Sequence, residues 1–330
     1  SAEAVNDLVM AETEAQQAQA LDQLGGGLAR IYESWRRHLI ESAAYLEATI
    51  DFADEDLPED TIFNTIRPGV KKLKDEIKEH LTDNRRGERL RDGIKIAVIG
   101  APNAGKSSLV NALAQRDACI TSDIEGTTRD VIEVTLNLGG YPVIISDTAG
   151  LRPGQLGTSD QDKIESEGIR RAIQTAEQAD IKLLVFDAAK GPDLHPDTLD
   201  LAGERDILVM NKIDLAENHA PKNQEHNTLA ISTISEEGLQ DLIDTLTKAI
   251  SDLVGHKSGP SPTRARHREA LQTALSALDD ALSTDESNEK PPELIAEDLR
   301  TAGRAIGAIT GRIDVENLLD VIFRDFCIGK

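Results

Sequence analysis

Apolar residues follow two rhythms along this chain. Between residues 93 and 255, short apolar runs alternate with stripes that recur every three or four residues. The runs at 94–99, 131–137, 142–146, 181–186, 206–210 and 228–231 predict strands, and the stripes at 106–115, 162–177, 195–203 and 236–254 predict helices. Alternation of this kind implies a mostly parallel sheet with helices on both faces. In such a sheet a ligand binds at the carboxyl ends of the strands.

The flanks, 1–92 and 256–330, carry the helical rhythm alone. Leu21, Leu24, Leu28, Ile31 and Trp35 step by three and four along one predicted face. Gly25-Gly26-Gly27 interrupts that stripe at roughly 1 kcal/mol per residue relative to Ala, which reads either as close packing of a neighbouring helix or as a break. Val70, Leu73, Ile77 and Leu81 form a second stripe, with Pro68 read as its helix-start signal. Leu294, Leu299, Ile306, Ile309, Leu318, Leu319, Ile322 and Phe323 supply further faces. The segments 258–262 and 285–292 read as linkers or loops. Neither flank buries its stripes alone. The expected architecture is an α/β domain over 93–255 inserted into an all-α bundle built from 1–92 and 256–330.

Chemistry enters at Gly100-Ala101-Pro102-Asn103-Ala104-Gly105-Lys106-Ser107, which fits G-x-x-x-x-G-K-[ST] between a predicted strand and a predicted helix. In that context, backbone N–H groups of Asn103, Ala104, Gly105 and the first helical turn through Ser108 curl around phosphate oxygens at a helix N-terminus. Lys106 reaches the β- and γ-phosphates, and the Ser107 hydroxyl ligates magnesium. Asp147-Thr148-Ala149-Gly150 follows its own apolar run and brings a carboxylate to hold magnesium through water, with Gly150 beside the nucleotide. Asn211-Lys212-Ile213-Asp214 follows another. Asp214 can accept two hydrogen bonds from guanine N–H groups, Lys212 can lay its stem across the base, and Asn211 can bind the purine edge or brace the loop. Alone, each stretch could be an ordinary turn; in this order, each after its own strand, they specify guanine. Ile231-Ser232-Thr233-Ile234-Ser235 stands where many GTPases carry Ser-Ala-Lys, and only Ser232 matches. Thr128, in Gly126-Thr127-Thr128-Arg129-Asp130, is placed to close on magnesium and the γ-phosphate as a switch-loop threonine does.

The chain of 330 residues can hold about two domains with their own cores. It has no apolar stretch near 20 residues, and its acidic start lacks the basic and apolar regions of a signal peptide. Ser1 in place of an initiator Met points to a piece of a longer chain. Two cysteines, Cys119 and Cys327, make no disulfide framework and fit a reducing cytoplasm, with no membrane association. The net charge of −23 argues against non-specific binding to nucleic acid, although a local basic patch could still hold RNA. Arg85, Arg86, Arg89 and Arg91 are the candidates, read either as a solvated turn or as a tRNA backbone contact.

The phosphate loop, Asp123 through Asp130, Asp147 through Arg152, Asn211 through Asp214, the flanking Ala11 through Gln16, Ile309 through Arg312, and the terminal Phe326-Cys327-Ile328-Gly329-Lys330 together resemble the MnmE (TrmE) family of tRNA-modification GTPases. The resemblance covers nearly the whole chain and implies a P-loop GTPase domain set in a helical bundle. It implies a role in modifying carbon 5 of the tRNA wobble uridine (carboxymethylaminomethylation) with an MnmG-type FAD flavoprotein. It also implies a further N-terminal folate-binding, dimerising domain, absent from this chain, and a homodimer whose GTPase domains pair on GTP.

The resemblance further implies potassium. Leu151 stands where many small GTPases place a water-orienting Gln, and Leu cannot hydrogen-bond water. The family's potassium ligands map onto the Asn103 side chain, the Ser122 and Ile124 carbonyls and the Thr127 hydroxyl, with Asn103 alternatively a polar loop residue. The water-positioning acid maps onto Glu165, with Asp162 and Glu167 as competitors. Cys327 is a core cysteine, a thiol used in the tRNA reaction or a lipidation site, and the resemblance favours the thiol. A ribosome-assembly or Ras-like switch GTPase is the alternative function, which the helical flanks and the terminal motif disfavour. A non-enzymatic scaffold is disfavoured by the intact phosphate loop.

Overall fold

The computed structural model describes residues 2–51, 59–116, 132–147, 175–190, 202–203, 205–216, 227–255, 259–283 and 290–311. Their contacts divide the chain into two compact units: Ser1–Val5, Gln19–Glu88 and Lys257–Lys330 form one, and Asn6–Ala18 with Arg89–His256 the other.

The first unit is helical. Helices α3 (Gly27–Asp51) and α4 (Glu59–Leu81) fall wholly within it, whereas α1 (Ala2–Val9), α2 (Glu14–Leu24) and α5 (Arg86–Asp92) each contribute residues to both units. The glycine run is a break: α2 ends at Leu24, Gly26 sits at φ 75°, where a side chain would be strained, and α3 restarts at Gly27. That break corrects the single stripe. Leu28 and Trp35 are buried, whereas Leu21 and Leu24 are 52% and 37% exposed, because the turn at Gly26 ends the shared helical phase. Pro68 also departs from expectation, lying inside α4 rather than at its start. It is exposed, so its ring does not disturb the core face of the helix. Beyond it, Val70, Leu73 and Ile77 keep the helix on the core.

From the other end of the sequence come α8 (Ala265–Leu282) and α9 (Pro292–Thr310). Helix α3 packs on α9 and α4, and α8 packs on α9 and α4, so both flanks share one bundle core. Tyr32, Leu39, Leu46, Ile77, Leu271, Leu278, Leu299 and Ile306 are its centre. Leu294 is 53% exposed, and its neighbour Ile295 points inward instead. The expected residues Leu318, Leu319, Ile322 and Phe323 lie outside the described part.

The second unit is a six-stranded sheet. Its strands are β1 (Ile94–Gly100), β2 (Ile132–Leu138), β3 (Tyr141–Asp147), β4 (Ile181–Asp187), β5 (Ile207–Asn211) and β6 (Asn227–Ala230). The order is β2-β3-β1-β4-β5-β6, parallel except for the β2–β3 hairpin. Alternate side chains serve opposite faces, as the two-residue period of a strand requires. Ile96, Val98, Leu183, Val185 and Val209 meet the helices α6 (Lys106–Arg116) and α7 (Leu239–Val254), while Ala97, Ile99, Leu184, Phe186, Leu208 and Met210 form a second core. Coverage on both faces explains why these strands read as unbroken apolar runs. Most of the predicted helices 162–177 and 195–203 lies outside the described residues.

Asn6–Ala18 groups with this sheet through specific ties. Gln16 Nε2 donates to the Arg91 carbonyl at 3.2 Å, Ala15 N–H donates to the Gly140 carbonyl at 3.2 Å, and Arg91 pairs with Asp7 at 3.3 Å.

Candidate nucleotide site

The candidate site lies at the carboxyl ends of β1, β3, β4 and β5. Parallel register brings these ends together: Val98 is beside Asp147 in the β1–β3 pair, and Asp187 is beside Asn211 in the β4–β5 pair. Strand β1 runs into the loop 101–105 and then α6, the strand–loop–helix order that the motif requires.

Gly105 occupies φ 94°, and a Cβ there would lie 2.1 Å from Asn211 Nδ2. Only glycine lets the base-side loop approach so closely. Lys106, 7% exposed, donates to the carbonyls of Gly100 at 2.8 Å and Ala101 at 3.0 Å. Burial draws its pKa below the usual lysine value, and the Asp147 carboxylate opposes that shift. Ser107 Oγ donates to Asp147 Oδ2 at 2.6 Å. A hydroxyl and a carboxylate this close form a hard oxygen pair that could hold a cation such as magnesium. Ser108 is exposed in the first turn of α6, and Ala104 is buried beneath the loop.

The second half of the site braces the first. Asn211, fully buried, donates from Nδ2 to the Ala104 carbonyl at 3.0 Å, and Lys212 Nζ donates to the Asn103 carbonyl at 2.5 Å. Consecutive side chains of one loop thus hold consecutive carbonyls of the other. Asn103 and Lys212 both sit in the left-handed region, at φ 65° and 67°. Asn211 Oδ1 turns back to accept the Lys212 N–H at 2.8 Å.

Asp214 is exposed, and its Oδ1 accepts the Ser232 hydroxyl at 2.6 Å. Ser232, wholly buried, accepts in turn from the N–H groups of Ile234 and Ser235 at 3.2 and 3.1 Å. The replacement of Ala-Lys by Thr233-Ile234 leaves this bracing intact, because the turn uses backbone N–H groups and one serine hydroxyl.

One contact escaped the sequence reading. Asp187, at the end of β4, accepts from Lys212 Nζ at 2.7 Å. Its signal was an acid closing an apolar strand, the same signal that marked Asp147, but no motif surrounds it.

Ser122, Ile124, Thr127, Thr128, Gly150, Leu151, Asp162, Glu165, Glu167, Cys119 and Cys327 lie outside the described residues. Within the arginine run the Arg85 side chain is 64% exposed, while Arg89 and Arg91 are more shielded. Arg85 pairs with Glu88 at 2.8 Å, Arg89 with Asp180 at 2.7 Å, and Arg91 with Asp7 and Asp92. Among the described residues no cluster of three His, Cys, Asp or Glu could hold a metal, and no helix is long and apolar enough to cross a membrane.

The family model for the MnmE helical domain matches residues 1–327. The tRNA modification GTPase MnmE of Paramagnetospirillum magneticum is 49% identical over 333 residues, spanning 100% of this chain and 72% of the relative. That of Rhodospirillum rubrum is 49% identical over 332 residues, spanning 100% and 70%. That of Rickettsia akari is 44% identical over 333 residues, spanning 100% and 72%. The solved G domain of the T. maritima FeoB iron transporter is 24% identical, covering 48% of this chain and 99% of that one, with a TM-score of 0.33. With a helical-domain match from end to end, near-half identity throughout, and a phosphate loop braced by a guanine-type loop, the chain belongs to the MnmE family of tRNA modification GTPases.

Proposed function

We propose that this chain binds GTP with guanine specificity, hydrolyses it with potassium as a second cation beside magnesium, and uses the cycle in carbon-5 modification of the tRNA wobble uridine alongside an MnmG-type FAD flavoprotein. The observation that carries the guanine reading is Asp214, an exposed carboxylate whose position is set by the buried Ser232 hydroxyl. A carboxylate held this way accepts the N1–H and exocyclic N–H of guanine; adenine presents the opposite pattern and leaves the acid unmatched. Lys212 lays its stem beside the base with its ammonium on the Asn103 carbonyl.

At the phosphate end, loop N–H groups and Lys106 stabilise the negative oxygens, and Ser107 with Asp147 would hold magnesium. Magnesium, when bound, neutralises charge on the β- and γ-oxygens. The chain lacks a Gln after Gly150, so a further cation is assigned the charge that an arginine finger supplies elsewhere. Asn103 is our ligand for it, with Ser122, Ile124 and Thr127 completing the site. Thr128 closes on magnesium, Glu165 orients the water, and Cys327 is the thiol of the tRNA reaction. The family likeness and the phosphate-loop position of Asn103 support these assignments. GTP-dependent pairing of GTPase domains in a homodimer, in the cytoplasm, belongs to the same reading.

The test is GTP hydrolysis in potassium against sodium at several protein concentrations. Turnover at least tenfold faster in potassium, rising with protein concentration, is expected. Equal turnover in both salts overturns the potassium role, and a rate independent of concentration overturns the pairing.

A further inference from the structure

We propose that Asp187 is a positioning residue of the nucleotide site, holding the Lys212 ammonium on the Asn103 carbonyl and so tying base recognition to the phosphate loop.

Both oxygens of Asp187 are engaged. Oδ1 accepts the Ala189 N–H at 3.1 Å, which fixes the carboxylate on its own turn. Oδ2 accepts Lys212 Nζ at 2.7 Å. The pair is well shielded, with side-chain exposures of 9% for Asp187 and 26% for Lys212. Strand register makes it possible, because Asp187 faces Asn211 across the β4–β5 ladder, one residue from Lys212.

Two physical consequences follow. A lysine stem has much rotamer entropy to lose, and a fixed carboxylate orders it before the base arrives. The ammonium also lies 2.5 Å from a carbonyl of the phosphate loop. An unpaired cation there would be drawn toward bound phosphate and away from the base; Asp187 keeps it on the base side. The anchored carbonyl belongs to Asn103, held at φ 65°. Asp187 therefore also bears on the Asn103 backbone, and through it on the potassium site; that last link rests on the reading given under Proposed function.

The test is a double-mutant cycle in the full chain. Asp187→Asn can keep its amide oxygen on the Ala189 N–H, which turns its amide NH2, a donor, toward the Lys212 ammonium and so removes both the charge and the acceptor on that side. It should raise the GDP dissociation constant about tenfold and raise the potassium concentration needed for half-maximal hydrolysis, with the thermal midpoint of the nucleotide-free protein unchanged. In a Lys212→Met background, the same change should have no further effect on GDP affinity, because nothing remains to position. Asp187→Ala, which also strips the Ala189 acceptor, should lower the thermal midpoint and so marks what a folding defect looks like. Unchanged GDP affinity in Asp187→Asn, or an equal loss with and without Lys212, overturns the proposal. Equal wild-type turnover in sodium and potassium removes the potassium role of Asn103 alone; the GDP cycle then still supports or overturns Asp187 by itself.

Discussion

Ser232 carries more of the site than its place in a degenerate motif implies. One hydroxyl donates to Asp214 and accepts two backbone N–H groups, with no exposure to water. Deleting it removes the acceptor of two backbone N–H groups and frees the carboxylate to rotate, and each lost hydrogen bond costs about 0.5–1.5 kcal/mol. Ser232→Ala should therefore weaken GDP binding about tenfold, on the order of 1.4 kcal/mol, measured by displacement of a fluorescent GDP analogue. Asp214→Ala should weaken it further and erase the preference for GDP over inosine diphosphate, which lacks the exocyclic amine. An unaltered preference in Asp214→Ala would assign base recognition to another group. At this scale the motifs were legible because glycine, lysine, serine and aspartate spacings are local. The partner of Lys212 was not, since Asp187 lies 25 positions away and meets it only through strand register.

Among the elements, α3 and α4 show how a helix pair gains a titrating contact. Tyr32 and Trp35 on α3 meet His80 on α4 edge-on, at ring separations of 5.7 and 5.3 Å, and the Tyr32 hydroxyl lies 3.2 Å from His80 Nε2. Burial draws the His80 pKa below its ordinary 6.5, Asp83 opposes the shift and Arg268 adds to it. The folded chain then holds the imidazole proton less tightly than the unfolded chain does. The contribution to stability is complete above the unfolded pKa, near 6.5, and is lost as pH falls below it. Denaturant midpoints should drop between about pH 7.5 and 5.5, and the drop should shrink in His80→Gln. An equal drop in both proteins would place the titrating group elsewhere. Periodicity located both helices but misjudged their ends. Pro68 sits at an exposed position inside α4, and Leu21 and Leu24 leave the face of Leu28 and Trp35 because the helix breaks at Gly26.

For the molecule as a whole, chain order and spatial order diverge. Helix α3 packs against α9, more than 200 residues later in the sequence, and α8 packs against α4. The helical core cannot close until the C-terminal flank exists, and such distant pairing carries a loop-closure cost before any contact offsets it. A chain cut after Gly255 should leave Leu39, Leu46, Val70 and Leu73 without α8 and α9. We expect rapid proteolysis within residues 27–81, while the sheet unit still binds GDP. Equal protease resistance of 27–81 with and without the C-terminal flank would refute a shared core.

The sequence by itself determined the periodicities that make strands and helices, the glycine-rich loop, the guanine-type loop and the family, because each is written in neighbouring residues or in likeness along the whole chain. Only the tertiary structure decided which ends of the strands meet, that Asn211 and Lys212 clasp the carbonyls of Ala104 and Asn103, and that Asp187 backs Lys212. It also set carboxylate partners beside Arg85, Arg89 and Arg91. Those outcomes depend on sheet register and on charges brought together from distant positions, and neither leaves a local pattern to read.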